Sequence, residues 1–227
     1  MPYDSSDTHD ADLPGAIVSG LAPGLTYKEA YFASSGSLFK ASPDLLVIHS
    51  ASVGNNPAKY LLDPTEPEDA YLQQLRLGGH PVGKILTVTW PPDAKGRVKK
   101  QSLMLCKDKH WRRPACAHIC AQSQEGDWLQ TALLTRVVWH AGGSTCEGKG
   151  HVNDRSIGIE LPAKAGAGLF DSWQSLLLNL LPTVPSIQKW TTHRWILPKL
   201  KRDPVCWSNG QVRLAMDGFG LTEVGER

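Results

Sequence analysis

The stretch THRWILPKLKRDPVCW (192–207) contains side chains of the types that bind a metal ion. His193 and Asp203 lie ten residues apart in it, and Lys201 precedes the aspartate by two positions. Neutral imidazole and carboxylate groups are ordinary zinc ligands, and a catalytic zinc keeps three protein ligands and an open position for water. The stretch shows neither the alternation of a strand nor the period of a helix, so we predict an ordered loop that builds a site.

A third candidate ligand lies far upstream in the sequence. His49 falls near the end of the apolar, β-branched run DLLVIHSAS (44–52), which predicts a buried strand that ends in a polar turn. Together with His193 and Asp203 it would complete the ligand set of a catalytic zinc site. Cys206 is the alternative third ligand, because thiolate also binds zinc well.

A carboxylate interrupts the predicted strand SIGIEL (156–161). Glu160 stands there in an apolar run, where a charge is costly without a partner or a task. Two interpretations are open at this point. Glu160 is either a solvent-facing residue on a one-sided sheet or a carboxylate that takes part in chemistry.

The remaining patterns predict the elements that must position these side chains. Strands are predicted at 44–52, 84–90, 102–106 and 156–161, with a hairpin over 117–133 that turns near Glu125 and Gly126. Helices are predicted at about 67–77 and at 169–181, the second ending before Pro182. Strands mixed with a few helices indicate an α/β or α+β fold with one central sheet, without an internal repeat or a second domain.

Length and composition set bounds on the class of protein. The 227 residues suit one domain with a full-sized core, and no apolar run approaches the ~20 residues that span a bilayer. Residues 1–24, predicted to be a poorly ordered lead-in, begin with an acidic, polar stretch unlike a secretory signal, so we expect cytoplasmic synthesis. The five cysteines form no repeating framework, and we expect reduced thiols.

The formal net charge of +2 argues against nucleic acid as the main partner. Cations nevertheless cluster between Lys95 and Arg113, where Asp108 is the one opposing acid. We interpret this cluster as a solvated face of the protein. The alternative is an electrostatic guide toward an anionic polymer.

Five segments together resemble a known family, the zinc-dependent N-acetylmuramoyl-L-alanine amidases, whose fold is shared with peptidoglycan recognition proteins and amidase-type phage lysozymes. The segments follow one another in the family's order and span most of 44–205: LLVIHSAS, AHICAQSQEGDWLQ, VVWHAGGS, NDRSIGIELP and HRWILPKLKRDP. The likeness is greatest to the branch of the cytosolic muropeptide-recycling amidase, whose last ligand is an aspartate two residues after a lysine. That spacing selects Asp203 over Cys206.

Matched by position, the resemblance implies Zn²⁺ as cofactor with His49, His193 and Asp203 as its ligands. It makes Glu160 the general base, or the carboxylate that orients the attacking water. It aims Lys201 at the substrate carbonyl. These are the two catalytic residues that the resemblance implies.

The same comparison assigns residues around the implied cleft. His140 resembles a residue near the substrate and Asn153 one that shapes the cleft, so both are assigned to substrate binding. Trp139 is assigned to the core. His118 lies close to the place where some family members carry a catalytic tyrosine. No catalytic role is carried onto it, and it either lines the cleft or packs inside.

The implied architecture is an α/β fold with a single mixed central sheet flanked by helices. Residues 25–227 would form one zinc amidase domain with an insertion at about 58–115. This insertion is longer than the family's usual link between the first ligand and the hairpin. Long insertions in enzymes are often functional loops, so we expect it to contact substrate.

The implied reaction is hydrolysis of the amide between N-acetylmuramic acid and the L-alanine of the stem peptide. We favour a phage endolysin because of the unusual insertion and the acidic leader; the alternative is a cytosolic amidase that recycles anhydro-muropeptides. A non-catalytic peptidoglycan-binding protein is a further alternative, disfavoured because all three ligands are present. The expected partner is peptidoglycan or a muropeptide, with no nucleic acid, no membrane and a monomeric state.

Overall fold

The computed structural model describes residues 20–30, 37–50, 56–62, 69–112, 115–199 and 201–225. The chain forms two compact units: a main unit, Met1–Leu62 with Cys116–Arg227, and an inserted unit, Asp63–Ala115. The sequence predicted one domain with an insertion at about 58–115. The inserted unit covers Asp63–Ala115 of that range, and residues 58–62 belong to the main unit. Most of the predicted lead-in, up to residue 19, lies outside the described residues.

The elements follow one another as short strands and helices. The strands are β1 (Thr26–Tyr27), β2 (Leu45–Ser50), β3 (Ile85–Thr89), β4 (Lys100–Leu105), β5 (Trp111–Arg112), β6 (Ile119–Ala121), β7 (Trp128–Gln130), β8 (Ser156–Leu161), β9 (Lys189–Thr192) and β10 (Thr222–Glu223). The helices are α1 (Pro57–Leu62), α2 (Ala70–Leu77), α3 (Leu169–Thr183), α4 (His193–Ile196) and α5 (Asn209–Met216), with a 3₁₀ turn at Val152–Arg155.

The main unit is built on one mixed sheet, which confirms the predicted α/β class. Its strand order is β1-β7-β6-β8-β2-β9-β10, and all neighbours are parallel except the hairpin β6–β7. All six residues of β2 are buried. A strand of a parallel sheet that is covered on both faces reads as a continuous apolar run, which is the pattern seen at 44–52.

Helix α3 supplies much of the core beside this sheet. Leu169, Trp173, Leu176, Leu177 and Leu180 are its buried residues, and they recur at helical spacing. The predicted end before Pro182 is wrong, because α3 runs to Thr183. Proline removes the hydrogen bond to the carbonyl four residues earlier. Leu178 occupies that earlier position and is 67% exposed, so the bond is lost on the solvent side of the last turn.

The hairpin predicted over 117–133 is confirmed. Strands β6 and β7 pair antiparallel, with Cys120 opposite Leu129. Gly126 takes a positive φ of 81° in the turn between them, a conformation that glycine adopts without strain. The Glu125 carboxylate accepts a hydrogen bond from the Gly168 N–H and so ties the hairpin to the start of α3.

The loop predicted at 192–207 is wrong in its first part. Thr192 ends β9, and α4 begins at His193. Residues 189–192 are too few to show the alternation of a strand in the sequence. They form β9 because they pair with β2, with Leu46 opposite Trp190 and Ile48 opposite Thr192.

The inserted unit has its own sheet and its own buried side chains. Strands β3, β4 and β5 form an antiparallel sheet, and the Asp69 side chain caps α2 by accepting a hydrogen bond from the Leu72 N–H. The strands predicted at 84–90 and 102–106 and the helix predicted at about 67–77 are confirmed in type. The buried side chains are Leu72, Val88, Trp90, Leu103, Leu105 and Trp111.

In the sequence these cations form one cluster. In the structure they are divided between the two ends of β4. Lys95 and Lys99 belong to the connection before this strand, and Lys107 and Lys109 belong to the turn after it. A strand of this length separates the two groups by about 20 Å. Two more of the cations are ion-paired with acids: Arg97 with Asp93 and Arg112 with Asp108. This division favours the solvated-face interpretation over one continuous guide.

No helix among the described residues combines the length and the apolar character needed to cross a membrane.

Candidate metal centre

The three side chains proposed as metal ligands converge in the main unit. The Nδ1 atoms of His49 and His193 are 2.9 Å apart, and Oδ2 of Asp203 lies 3.1 Å from the His193 atom and 3.4 Å from the His49 atom. Both imidazoles are buried, at 2% and 4% exposure. Residues that are 144 positions apart thus form one compact triangle of potential ligand atoms.

The triangle has the size and chemistry that a zinc ion requires. Tetrahedral zinc with bonds of about 2.0–2.2 Å holds its ligand atoms about 3.3–3.6 Å apart. The separations of 3.4 and 3.1 Å are within a few tenths of an ångström of this range, and the two imidazole nitrogens, at 2.9 Å, would move slightly apart around the ion. Only one proton can lie between two ring nitrogens that face each other, so a cation that accepts both lone pairs suits them better. The donor set therefore fits zinc.

Parallel pairing explains how the two histidines meet. His49 is the fifth residue of β2, and His193 directly follows β9, the neighbouring parallel strand. The carboxyl ends of parallel strands lie at the same edge of a sheet, so side chains placed there face one site. Burial lowers the pKa of His49 to about 4, helped by His193 and opposed by Asp203. The neutral imidazole that a metal requires is thus favoured.

The loop that carries Asp203 is fastened to β2 and to α4, the helix that directly follows β9. The Arg194 backbone N–H donates to the Asp203 carbonyl at 2.9 Å, and its guanidinium donates to the carbonyls of Pro204 and Trp207. The Val205 N–H donates to Oγ of Ser50 at 2.7 Å. Ser50 follows His49, and Arg194 follows His193, so each histidine is adjacent in sequence to a residue that fastens the aspartate.

The aspartate carries its negative charge within this cluster. Burial acts to raise the pKa of Asp203, but hydrogen bonds from His193 and His49 outweigh it and hold the pKa well below its usual range. Cys206, the competing ligand, is not in the triangle. Burial raises the pKa of its thiol to about 12, which disfavours the thiolate.

Glu160 lies beside the triangle. It is the register partner of His49 across the β2–β8 pair, and its strand neighbours Ile159 and Leu161 are fully buried. Burial raises the pKa of Glu160 to about 8, with a further rise from the Asp203 charge and an opposing effect of Lys201. The register places this carboxylate on the same face of the sheet as His49. Glu160 is the one residue of β8 that is half-buried rather than buried, and the structure favours the interpretation as a carboxylate that takes part in chemistry over the solvent-facing one. Lys201 is exposed.

Of the two residues predicted to bind substrate, His140 contacts the triangle and Asn153 holds the turn that carries His140. Nδ1 of His140 is 3.0 Å from Nε2 of His49, so this ring contacts a proposed ligand. Oδ1 of Asn153 accepts the backbone N–H groups of His140 and Ala141, at 3.1 and 2.7 Å, and so shapes this turn. The core assignment of Trp139 is wrong, since its side chain is 44% exposed. The ring of His140 takes the inward place, and the adjacent Trp139 faces outward.

His118 is a packed residue. Its Nδ1 accepts the Gly158 N–H at 3.0 Å, its Nε2 donates to the Arg136 carbonyl at 2.8 Å, and its ring stacks on Phe39. Of the two alternatives left open by the sequence, the structure shows the packed one.

His118 makes the stability of the fold pH-dependent. Burial lowers the pKa of His118 to about 4 from an ordinary value of 6.5, against the opposing bond to Arg136. The unfolded chain therefore takes up a proton below pH 6.5 while the folded protein does not, so stability is complete above pH 6.5 and falls between pH 6.5 and 4. The loss is on the order of 3 kcal/mol.

Urea unfolding of the metal-free protein at several pH values tests this expectation. The control is His118→Asn, whose side-chain oxygen can still accept the Gly158 N–H but does not titrate. We expect this variant to be less stable at pH 7 and to lose less stability than the wild type on acidification. Equal acid losses in the two proteins would contradict the assignment.

Sequence reasoning missed the residues that support the cluster. Ser50 and Arg194 fasten the aspartate loop, and Ser156 contacts His140. One signal was present in the sequence, because a glycine inside a strand often marks a close approach of another group. At Gly158 the approaching group is the His140 ring, because a Cβ there would lie 2.5 Å from its Cγ.

Two curated proteins are similar to this chain in sequence. The 1,6-anhydro-N-acetylmuramyl-L-alanine amidase AmpD of Salmonella typhimurium (strain SL1344) is 30% identical over 167 residues, covering 71% of this chain and 74% of the relative. AmpD of Enterobacter cloacae is 29% identical over 168 residues with the same coverage. No protein-family model matches the sequence.

A solved structure shows the same fold. The crystal structure of a selenomethionine derivative of AmpD superposes with a TM-score of 0.51 and 22% identity, covering 89% of this chain and 98% of that one. The sequence relationship and the shared fold lead to one conclusion: the chain belongs to the AmpD family of N-acetylmuramyl-L-alanine amidases.

Proposed function

We propose that this protein is a zinc-dependent amidase that cleaves the bond between N-acetylmuramic acid and L-alanine in soluble anhydro-muropeptides. The observation that carries the proposal is the triangle of His49, His193 and Asp203 with Glu160 beside it. The names of the relatives specify a 1,6-anhydro-N-acetylmuramyl substrate. Nothing in the structure or the comparisons favours the endolysin role expected from the sequence, and the recycling alternative fits better.

The metal ligands, Glu160 and Lys201 would each contribute to the hydrolysis. Zinc bound at the triangle would supply a water molecule of lowered pKa and polarise the scissile carbonyl. The Glu160 carboxylate would accept a proton from the attacking water and pass it to the alanine nitrogen as the carbon–nitrogen bond breaks. The positive charge of Lys201 stabilises the oxygen on which negative charge develops. The products are a free lactyl carboxylate and a free L-alanine amino group.

Two substrates separate the recycling role from the lytic one. We expect the zinc-loaded protein to release L-alanine amino termini from a soluble 1,6-anhydro-N-acetylmuramyl peptide and to leave the turbidity of intact sacculi unchanged. Rapid clearing of sacculi with little cleavage of the soluble peptide would restore the endolysin interpretation. Binding of either substrate without cleavage would identify a non-catalytic binding protein.

A further inference from the structure

We propose that His140 is a positioning residue for the metal ligand His49, and that its ring does not bind substrate. The inference rests on the proposed function, because it assumes that Nδ1 of His49 binds zinc. The two rings meet edge to face, with centroids 5.1 Å apart and an interplanar angle of 85°. Nδ1 of His140 thereby lies 3.0 Å from Nε2 of His49.

Metal binding at one nitrogen of His49 determines the hydrogen bonds behind it. With the lone pair of Nδ1 directed at the metal, Nε2 of the neutral ring carries the hydrogen, and Nδ1 of His140 must accept it. Nε2 of His140 then carries the second hydrogen and lies 3.1 Å from Oγ of Ser156. The Ser156 hydroxyl donates in turn to the Val152 carbonyl at 2.6 Å. Each group in this series donates to the next, from His49 through His140 and Ser156 to the backbone carbonyl of Val152.

The position of the His140 ring is fixed from two further sides. Asn153 accepts the backbone N–H of His140, which sets the turn that presents the ring. Across the ring, a Cβ at residue 158 would lie 2.5 Å from Cγ and 2.6 Å from Nδ1 of His140, so glycine is required there. An acceptor held this firmly can set both the tautomer and the ring angle of His49.

The second ligand histidine has a different environment. Nε2 of His193 is buried and has no hydrogen-bond partner among the described residues. Its ring is held through the backbone at the start of α4 and by Asp203. Of the two imidazoles, His49 is therefore the one whose Nε2 faces a side-chain acceptor.

Zinc affinity separates a positioning role from a substrate contact. His140→Phe keeps a ring of similar shape and removes the acceptor, whereas His140→Asn places an oxygen near the position of Nδ1. We expect the zinc dissociation constant, measured by chelator competition, to rise about 10–100-fold in His140→Phe. His140→Asn should recover most of the affinity. The Co²⁺-substituted proteins should show the same order in their visible spectra, with the phenylalanine variant changed and the asparagine variant close to wild type.

The controls separate this inference from the proposed function. His110→Phe alters a histidine in the inserted unit and should keep wild-type zinc affinity. If His140→Phe does not fold, Gly158→Ala replaces it, because the added methyl displaces the ring without removing the imidazole. Wild-type zinc affinity and Co²⁺ spectrum in the displaced or phenylalanine variant, with hydrolysis lost, would overturn the positioning role and return His140 to substrate binding. Failure of the wild-type protein to bind zinc would instead overturn the proposed function itself.

Discussion

The Asp203→Ala protein is expected to be purified without zinc and to leave anhydro-muropeptides uncleaved. Oδ2 of Asp203 contacts both imidazole nitrogens of the triangle and carries the negative charge that compensates a divalent cation. Removal of a residue that hydrogen-bonds to a metal ligand lowers metal affinity about 10–100-fold. Removal of the ligand itself should therefore lower zinc affinity by more than about 100-fold. Elemental analysis of the purified protein and chelator competition measure this directly.

A matched control is available three residues further along the chain. Cys206→Ala removes the thiol that competes for the role of third ligand, and we expect it to retain wild-type zinc content. The backbone carbonyl of Asp203 remains bound to Arg194 in the alanine variant, so the loop itself should persist. Full zinc content in Asp203→Ala together with metal loss in Cys206→Ala would exchange the two assignments.

The resemblance to the amidase family supplied the proposed ligand set, and strand order explains why its two histidines meet. His49 ends an apolar run, and such a run becomes a central parallel strand whose last residues lie at a functional edge. The partner strand was harder to recognise, since β9 has four residues and no visible alternation. The spacing of Lys201 and Asp203 gained its meaning from the resemblance to the amidase family.

The errors and omissions arise where tertiary contacts override local patterns. Trp139 is exposed because the neighbouring His140 occupies the inward position. The hydrophobicity of tryptophan predicts the opposite arrangement. Pro182 fits inside α3 because the missing hydrogen bond falls on the solvent side. The hydrogen bonds of Ser50 and Arg194 fasten the Asp203 loop to segments that are far apart in sequence or on the other side of a loop. No periodic pattern in the sequence predicts such bonds.

The Glu160→Gln protein is expected to keep its zinc and lose about 10²–10⁴ in turnover. Glutamine has nearly the shape of glutamate but cannot take the proton from the attacking water. The base works only when deprotonated, so the wild-type rate should rise with pH through the pKa of Glu160. That pKa is about 8 in the metal-free protein, and a bound divalent cation would lower it. This rising limb should be absent from the rate profile of the glutamine variant.

A remote carboxylate provides the control for this substitution. Glu223→Gln removes an acid that is ion-paired with Arg213 on the surface, and it should leave both turnover and zinc content unchanged. The separate measurement of zinc distinguishes loss of the base from loss of the metal, because Glu160 is not one of the three ligands. Turnover of Glu160→Gln within a few-fold of wild type would mean that another group takes the proton. Zinc loss in this variant would mean that the carboxylate holds the metal centre together and is not the base.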